Sequence, residues 1–233
     1  MSRPSAPSSP SWLADRSAPD RYPGVTATEA TIERGLPEHL RQRAAEILDE
    51  AFGEKLTPVI RDRERRLAFL ARTVRAGSCL VALDGEELLG LVCLNASRGE
   101  FKGAILDTES LGFAGWRELL GVVGSIRAAI LLRLFFTHTA KPDEVYIDFI
   151  AVSANARGRG LGAALLDEAW NAAREGGFEY VRLDVVDTNP RAQALYEREG
   201  YRVIHEERLG FLSRITGFEA AYTMERPVER AEA

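Results

Sequence analysis

After the apolar run that ends at Val152, the chain reads SANARGRGLGAALLDEAW, with Arg157-Gly158-Arg159-Gly160-Leu161-Gly162-Ala163 at the point where a helix begins. A glycine-rich turn opening a helix leaves backbone N–H groups unpaired and aimed the same way. The donors of Gly158 through Ala163 therefore suit a phosphate. Glycines let the phosphate approach the main chain, the helix dipole adds favourable potential, and Arg157 and Arg159 can supply charge at the rim. A second group able to do chemistry is Asp148, a carboxylate in the middle of the apolar run VYIDFIAV (Val145–Val152). Such a group is costly unless it is partnered or useful, and burial moves a carboxyl toward the neutral pKa that a general base needs. By strand alternation Asp148 shares a face with Tyr146, Ile150 and Val152. A purely structural carboxylate is the competing reading, with Glu100 and Glu109 as weaker alternative bases.

The elements that must position these groups follow from periodicity. A strand is expected at Thr28–Arg34, then a helix at Pro37–Ala51 closed by Gly53, and a second helix at Arg61–Arg75. CLVALDGEELLGLVCLNAS reads as a hairpin turning at Asp84-Gly85. A long, largely helical insert, Gly99–Asp143, precedes the central strand Val145–Val152. A helix at Gly160–Glu175, a strand at Tyr180–Val186, a short helix from Asn189-Pro190 to Glu199 and strands at Tyr201–Leu209 and Phe218–Glu225 complete the chain. A hairpin in front and βαβ units behind imply an α/β fold on a mixed sheet with helices on both faces.

The turn admits two registers. Gly158-Arg159-Gly160-Leu161-Gly162-Ala163 fits G-x-G-x-x-A, a dinucleotide-binding variant, with Asp184 and Asp187 about 20–30 residues downstream where an acid would grip a ribose. Spacing counts against it, because Ser153–Arg157 intervenes between the strand and the first glycine. The other register is Arg157-x-x-Gly160-x-Gly162. In it the sequence resembles the GCN5-related N-acetyltransferase (GNAT) superfamily, whose signature is (Arg/Gln)-x-x-Gly-x-(Gly/Ala) at the start of the helix after the fourth strand. NPRAQALYEREGYR, Asn189–Arg202, is similar to that family's second coenzyme segment. Ala154 stands where many members carry proline.

The resemblance implies a mostly antiparallel sheet whose fourth and fifth strands part. It implies acetyl-coenzyme A (acetyl-CoA) as cosubstrate, with the pyrophosphate on the turn, pantetheine on the main chain of Ile150 and Val152, and Asn189 against the coenzyme arm. Asn189 also suits a helix cap, with Pro190 behind it. The resemblance places the Tyr196 phenol toward the coenzyme sulfur, as general acid for the departing thiolate. Asp148 takes the base's part, since in some relatives a Glu near this position deprotonates the amine through water. The activity implied is direct acetyl transfer to an amine, a small molecule or a protein N-terminus. A non-catalytic acyl-CoA-binding module is the rival class, against which Tyr196 and Asp148 argue.

Composition narrows the remaining classes. The 233 residues carry a formal net charge of -5, which disfavours non-specific nucleic-acid binding. No CxxC occurs, and His39, His138 and His205 are scattered, so no metal site is expected. Cys79 and Cys93 suit reduced core positions in a cytoplasmic protein. Arg127 and Arg133 interrupt the apolar stretch Leu119–Phe136, leaving no charge-free span of the ~20 residues a bilayer requires. No membrane partner is expected, and a homodimer stays open. Residues 1–24 form a Ser/Pro-rich tail, 25–228 a single acetyltransferase domain containing the 99–143 insert, and 229–233 a short C-terminal tail. Phe101, Phe113, Trp116, Phe135 and Phe136 of the insert are candidates to wall an acceptor pocket.

Overall fold

A computed structural model describes residues 30–57, 60–103, 114–118, 120–121, 124–125, 140–210 and 217–229. The expected N-terminal tail, residues 230–233 of the C-terminal one, Glu109, His138, Phe113, Phe135 and Phe136 lie outside the described residues. Among the described residues seven strands form one sheet: β1 (Thr31–Arg34), β2 (Cys79–Asp84), β3 (Glu87–Ala96), β4 (Glu144–Val152), β5 (Tyr180–Val186), β6 (Arg202–Arg208) and β7 (Ala220–Pro227), in the spatial order β1-β2-β3-β4-β5-β7-β6. Only β4 and β5 run parallel; the other pairings are antiparallel. The mixed, mostly antiparallel sheet expected from the sequence is therefore the one found.

Helices cover both faces. On one lie α1 (Arg41–Leu56) and α2 (Arg63–Thr73), packed through Ile47, Leu48, Phe69 and Leu70 onto Val81, Leu91 and Phe149. On the other lie α3 (Leu161–Glu175) and α4 (Pro190–Arg198), whose Leu165, Leu166 and Tyr196 join Val92, Ile147, Val181 and Leu183. Each helix turns its apolar stripe to the sheet, the arrangement the 3.6-residue rhythm requires.

Two expected boundaries move for a packing reason. Gly53 does not end α1, which runs to Leu56. A Cβ at Gly53 would sit 2.9 Å from the Asp49 carboxylate, so the glycine makes room for the buried Asp49–Arg66 ion pair. The hairpin turns on Gly85 and Glu86 rather than Asp84-Gly85, because Asp84 still pairs with Glu87. Of the two turn residues only Gly85 has positive φ, at 59°, the backbone that a glycine at the first central position supplies.

The two described aromatic side chains of the insert lie in different cores. Phe101 is buried on the α3 side, whereas Trp116 packs on Phe69 of α2, with ring centroids 5.6 Å apart. They do not wall one pocket together. Cys79 and Cys93 are free, fully buried and directly opposite across β2 and β3. No described helix is long and apolar enough to cross a membrane.

Candidate active site

The site is built around the one parallel pairing. β4 and β5 are in register only from Glu144 opposite Tyr180 to Ile147 opposite Leu183. β4 continues to Val152 and β5 to Val186, so beyond Ile147 the facing edges part. Arg182 closes the paired end, binding Glu144 on β4 and Glu225 on β7, where its Nη2 lies 2.6 Å from the carboxylate. Burial works against the Arg182 charge, but its hydrogen bonds to Glu144 and Glu225 outweigh it and hold the guanidinium above its ordinary pKa.

At the opening of the split, β4 carries a bulge. Cys93 of β3 faces Phe149, and the next residue, Leu94, faces Ile147, so Asp148 is the additional residue. The alternation expected from the sequence therefore fails here. Val145 and Ile147 belong to the α3-side core; after the bulge Phe149 and Ala151 belong to the α1 side, and Ile150 and Val152 pack against the α3 side. Asp148 interacts electrostatically with Cys93 and Tyr146, both on the α1 side. The half-buried Asp148 thus shares a face with Tyr146 but not with Ile150 and Val152, because one inserted residue exchanges the faces.

Two further residues bear on β4, Tyr146 beside the split and Gly90 on the strand's other edge, and neither was singled out as a site residue from the sequence. The Tyr146 hydroxyl hydrogen-bonds Asp184 on β5, and burial, with the charges of Asp184, Asp148 and Glu144, holds its pKa far above the ordinary phenol range. Gly90 of β3 sits opposite Val152, and a Cβ there would meet Ala151 O at 2.9 Å. An isolated glycine inside LLGLV is the sequence signal that marks such an approach.

Above the split the chain turns through a short 3-10 segment, Ala154–Ala156, into the glycine motif. Gly158 and Gly160 have φ of 81° and 79°, the left-handed backbone that glycine adopts without strain. Gly160 is the N-cap of α3 and no side chain caps the helix. The first helical bond is Ala164 N to Gly160 O, at 3.1 Å, so the N–H groups of Leu161, Gly162 and Ala163 precede the helical ladder. Gly162 has a second reason to lack a side chain: a Cβ would lie 3.2 Å from Leu195 of α4.

The two arginines differ. Arg157, half exposed, is engaged by its own chain, its Nε donating to Val152 O at 3.1 Å and its Nη2 to Glu50 at 3.2 Å. Arg159 is exposed and donates to Asn155 O at 3.3 Å. On α4, Asn189 caps the helix by accepting from Ala192 N at 3.2 Å, with Pro190 in the first turn. Tyr196 is buried beside Tyr201, ring centroids 6.0 Å apart, and burial pushes its phenol up to about 12. Among the described residues no three His, Cys, Asp or Glu side chains cluster as metal ligands.

The arrangement sets an anion-ready helix start and a buried phenol on the α3–α4 side of the sheet and a carboxylate at the bulge on the α1 side, beside the place where β4 and β5 part. The acetyltransferase (GNAT) family model matches residues 41–201. A mycothiol acetyltransferase from Beutenbergia cavernae is 38% identical over 78 residues, which span 34% of this chain and 25% of that protein. A crystal structure of an acetyltransferase aligns with a TM-score of 0.59 at 23% identity, covering 85% of this chain and 100% of that one. An N-acetyltransferase from Staphylococcus aureus Mu50 aligns with a TM-score of 0.57 at 17% identity, covering 84% and 99%. At these identities the two structures show the fold.

Proposed function

Because the chain belongs to the GNAT acetyltransferase family, we propose that residues 25–228 move an acetyl group from acetyl-CoA directly to an amine, either a small molecule or a protein N-terminus. The observation that carries this reading is the parting of β4 and β5 directly below an uncapped helix start. Pantetheine amides can take the place of the missing strand partner along Ile150 and Val152. The pyrophosphate then meets the N–H groups from Gly158 to Ala163 and the Arg159 side chain. Side chains at Gly158 and Gly160 would project into open space, so the main chain is what a ligand meets there.

Thioester and amine approach from opposite faces of the sheet and meet at the bulge. Asp148, on the α1 side, accepts a proton from the amine as nitrogen attacks the acetyl carbon. The carbon–sulfur bond breaks on the α3–α4 side, where Tyr196 gives its proton to the departing thiolate and regains one through solvent as Asp148 releases the proton taken from the amine. The products are an amide and the free thiol, and no covalent enzyme intermediate is required. A phenol raised to about 12 stays protonated throughout the neutral range, which suits a hydrogen-bond donor at that position.

Titration calorimetry with coenzyme A, without added metal, tests the binding half, with Gly160→Asp as the control. Asp brings a carboxylate against the phosphates and should remove binding; unchanged affinity in that variant rejects the turn as the site. A thiol-release assay with acetyl-CoA and a panel of amines, polyamines, antibiotics and peptides tests the chemistry. Coenzyme binding without release for any amine would favour the non-catalytic module instead.

A further inference from the structure

We infer that Glu50 is a positioning residue for the coenzyme turn, acting through Arg157. One carboxylate oxygen of Glu50, on α1, accepts from both Ala154 N at 3.1 Å and Arg157 Nη2 at 3.2 Å. Arg157 in turn donates from Nε to Val152 O, the last carbonyl of β4. These three bonds tie together the end of the strand that borders the split, the 3-10 segment and the motif arginine. They also anchor all of it to a helix on the opposite face of the sheet. Between Ala156 and Leu161, both buried, the glycines face outward: apart from their chain neighbours, nothing lies within 4 Å of where a Cβ would stand on Gly158 or Gly160. The first turn of α3 is held by its own core contacts through Leu161 and Ala163, whereas the approach to it, residues 152–157, is tied down by Glu50.

The same geometry divides the work between the two arginines. The Arg157 guanidinium faces a carboxylate of its own chain, so its charge is largely matched there. The guanidinium left to meet a phosphate is that of Arg159, which contacts a backbone carbonyl alone in the described structure. Arg157 and Glu50 side chains are 50% and 39% exposed, a setting in which an ion pair adds little to global stability. Removing Glu50 should therefore displace the turn without unfolding the protein.

This inference rests on the coenzyme reading of the turn, and calorimetry with coenzyme A on the full chain separates the two. If the parent does not bind coenzyme A, that reading fails and the role of Glu50 falls with it. With the parent binding, Glu50→Ala should weaken coenzyme A on the order of tenfold, since small displacements of positioned groups have effects of that size or larger. The KM for acetyl-CoA should rise in step, with kcat and thermal midpoint close to the parent's. Glu50→Gln keeps an acceptor oxygen in place and should return affinity to within about twofold of the parent. Parent-like affinity in Glu50→Ala overturns the inference. So does tighter binding, which would make Glu50 a competitor of the phosphates for Arg157. Equal weakening in Ala and Gln variants overturns it as well, because charge and not acceptor geometry would then be at work.

Discussion

Two neighbouring phenols illustrate how a buried hydroxyl can serve either chemistry or packing. Tyr196 and Tyr201 meet at a tilt in the same core, yet the Tyr201 hydroxyl is buried without a hydrogen-bond partner among the described residues. Tyr201→Phe removes that unmatched group and should stabilise the fold by about 1 kcal/mol in urea denaturation, with coenzyme affinity unchanged. Tyr196→Phe should lower kcat on the order of tenfold or more, with little effect on coenzyme Kd, because the hydroxyl matters chiefly as the thiolate develops. Burial raises the pKa of Tyr146, Tyr196 and Tyr201 alike, so at alkaline pH the unfolded chain loses these protons first. Fewer protons bound when unfolded means that stability falls as pH rises. Thermal midpoints should hold steady up to about pH 10, the ordinary phenol value, and decline above it.

For β4, the consequential feature is where it leaves its neighbours. It is held to β3 along most of its length but to β5 only through Ile147, and the bulge at Asp148 lies where the second contact ends. Gly90 controls how closely β3 approaches the far end of the strand. In Gly90→Ala the new methyl would press on Ala151 O at 2.9 Å, on Val152 Cγ2 at 3.2 Å and on Val152 Cα at 3.3 Å. The tightest contact is with backbone and the β-branched Val152 is stiff, so a cost of about 1–3 kcal/mol is expected. Because Val152 leads into the turn, the same variant should raise the acetyl-CoA KM. A change in stability with an unaltered KM would show that the strand end tolerates the shift.

Across the whole molecule, the split requires a rigid closed end. Arg182 supplies it by joining β4, β5 and β7, with Glu144 fully buried and Glu225 nearly so. Arg182→Leu would take the guanidinium away from two buried carboxylates, leaving Glu144 the Lys141 N–H and Glu225 the more distant Arg202, and a loss of about 3–5 kcal/mol in denaturant unfolding is expected. The insert also acts at this scale, since Phe101 and Trp116 extend the hydrophobic cores on opposite faces of the sheet. Trp116→Ala should accordingly lower thermal stability while leaving the ranking of acceptors as it is in the parent.

The features legible in the sequence are those set by neighbours within a few residues. The strand–turn–helix order around Gly160, the Asn189 cap with Pro190 behind it, the β2–β3 hairpin and the span of β5 depend on local backbone preference and on periodicity of burial. The motif arginine, the glycines and Tyr196 could be named from spacing and family resemblance for the same reason. Tertiary structure decided the rest. The face presented by Asp148 depends on which residues of β3 oppose it, and strict alternation along β4 gives the wrong answer once a bulge is admitted. Gly53 looks like a helix end until Asp49 and Arg66 claim the space beside it. Glu50 and Arg157, 107 residues apart, are ordinary surface charges in the sequence; only the packing of α1 across the sheet puts one in reach of the other. Local conformation is determined by adjacent atoms, whereas register and close approach are determined by side chains from distant segments competing for the same volume.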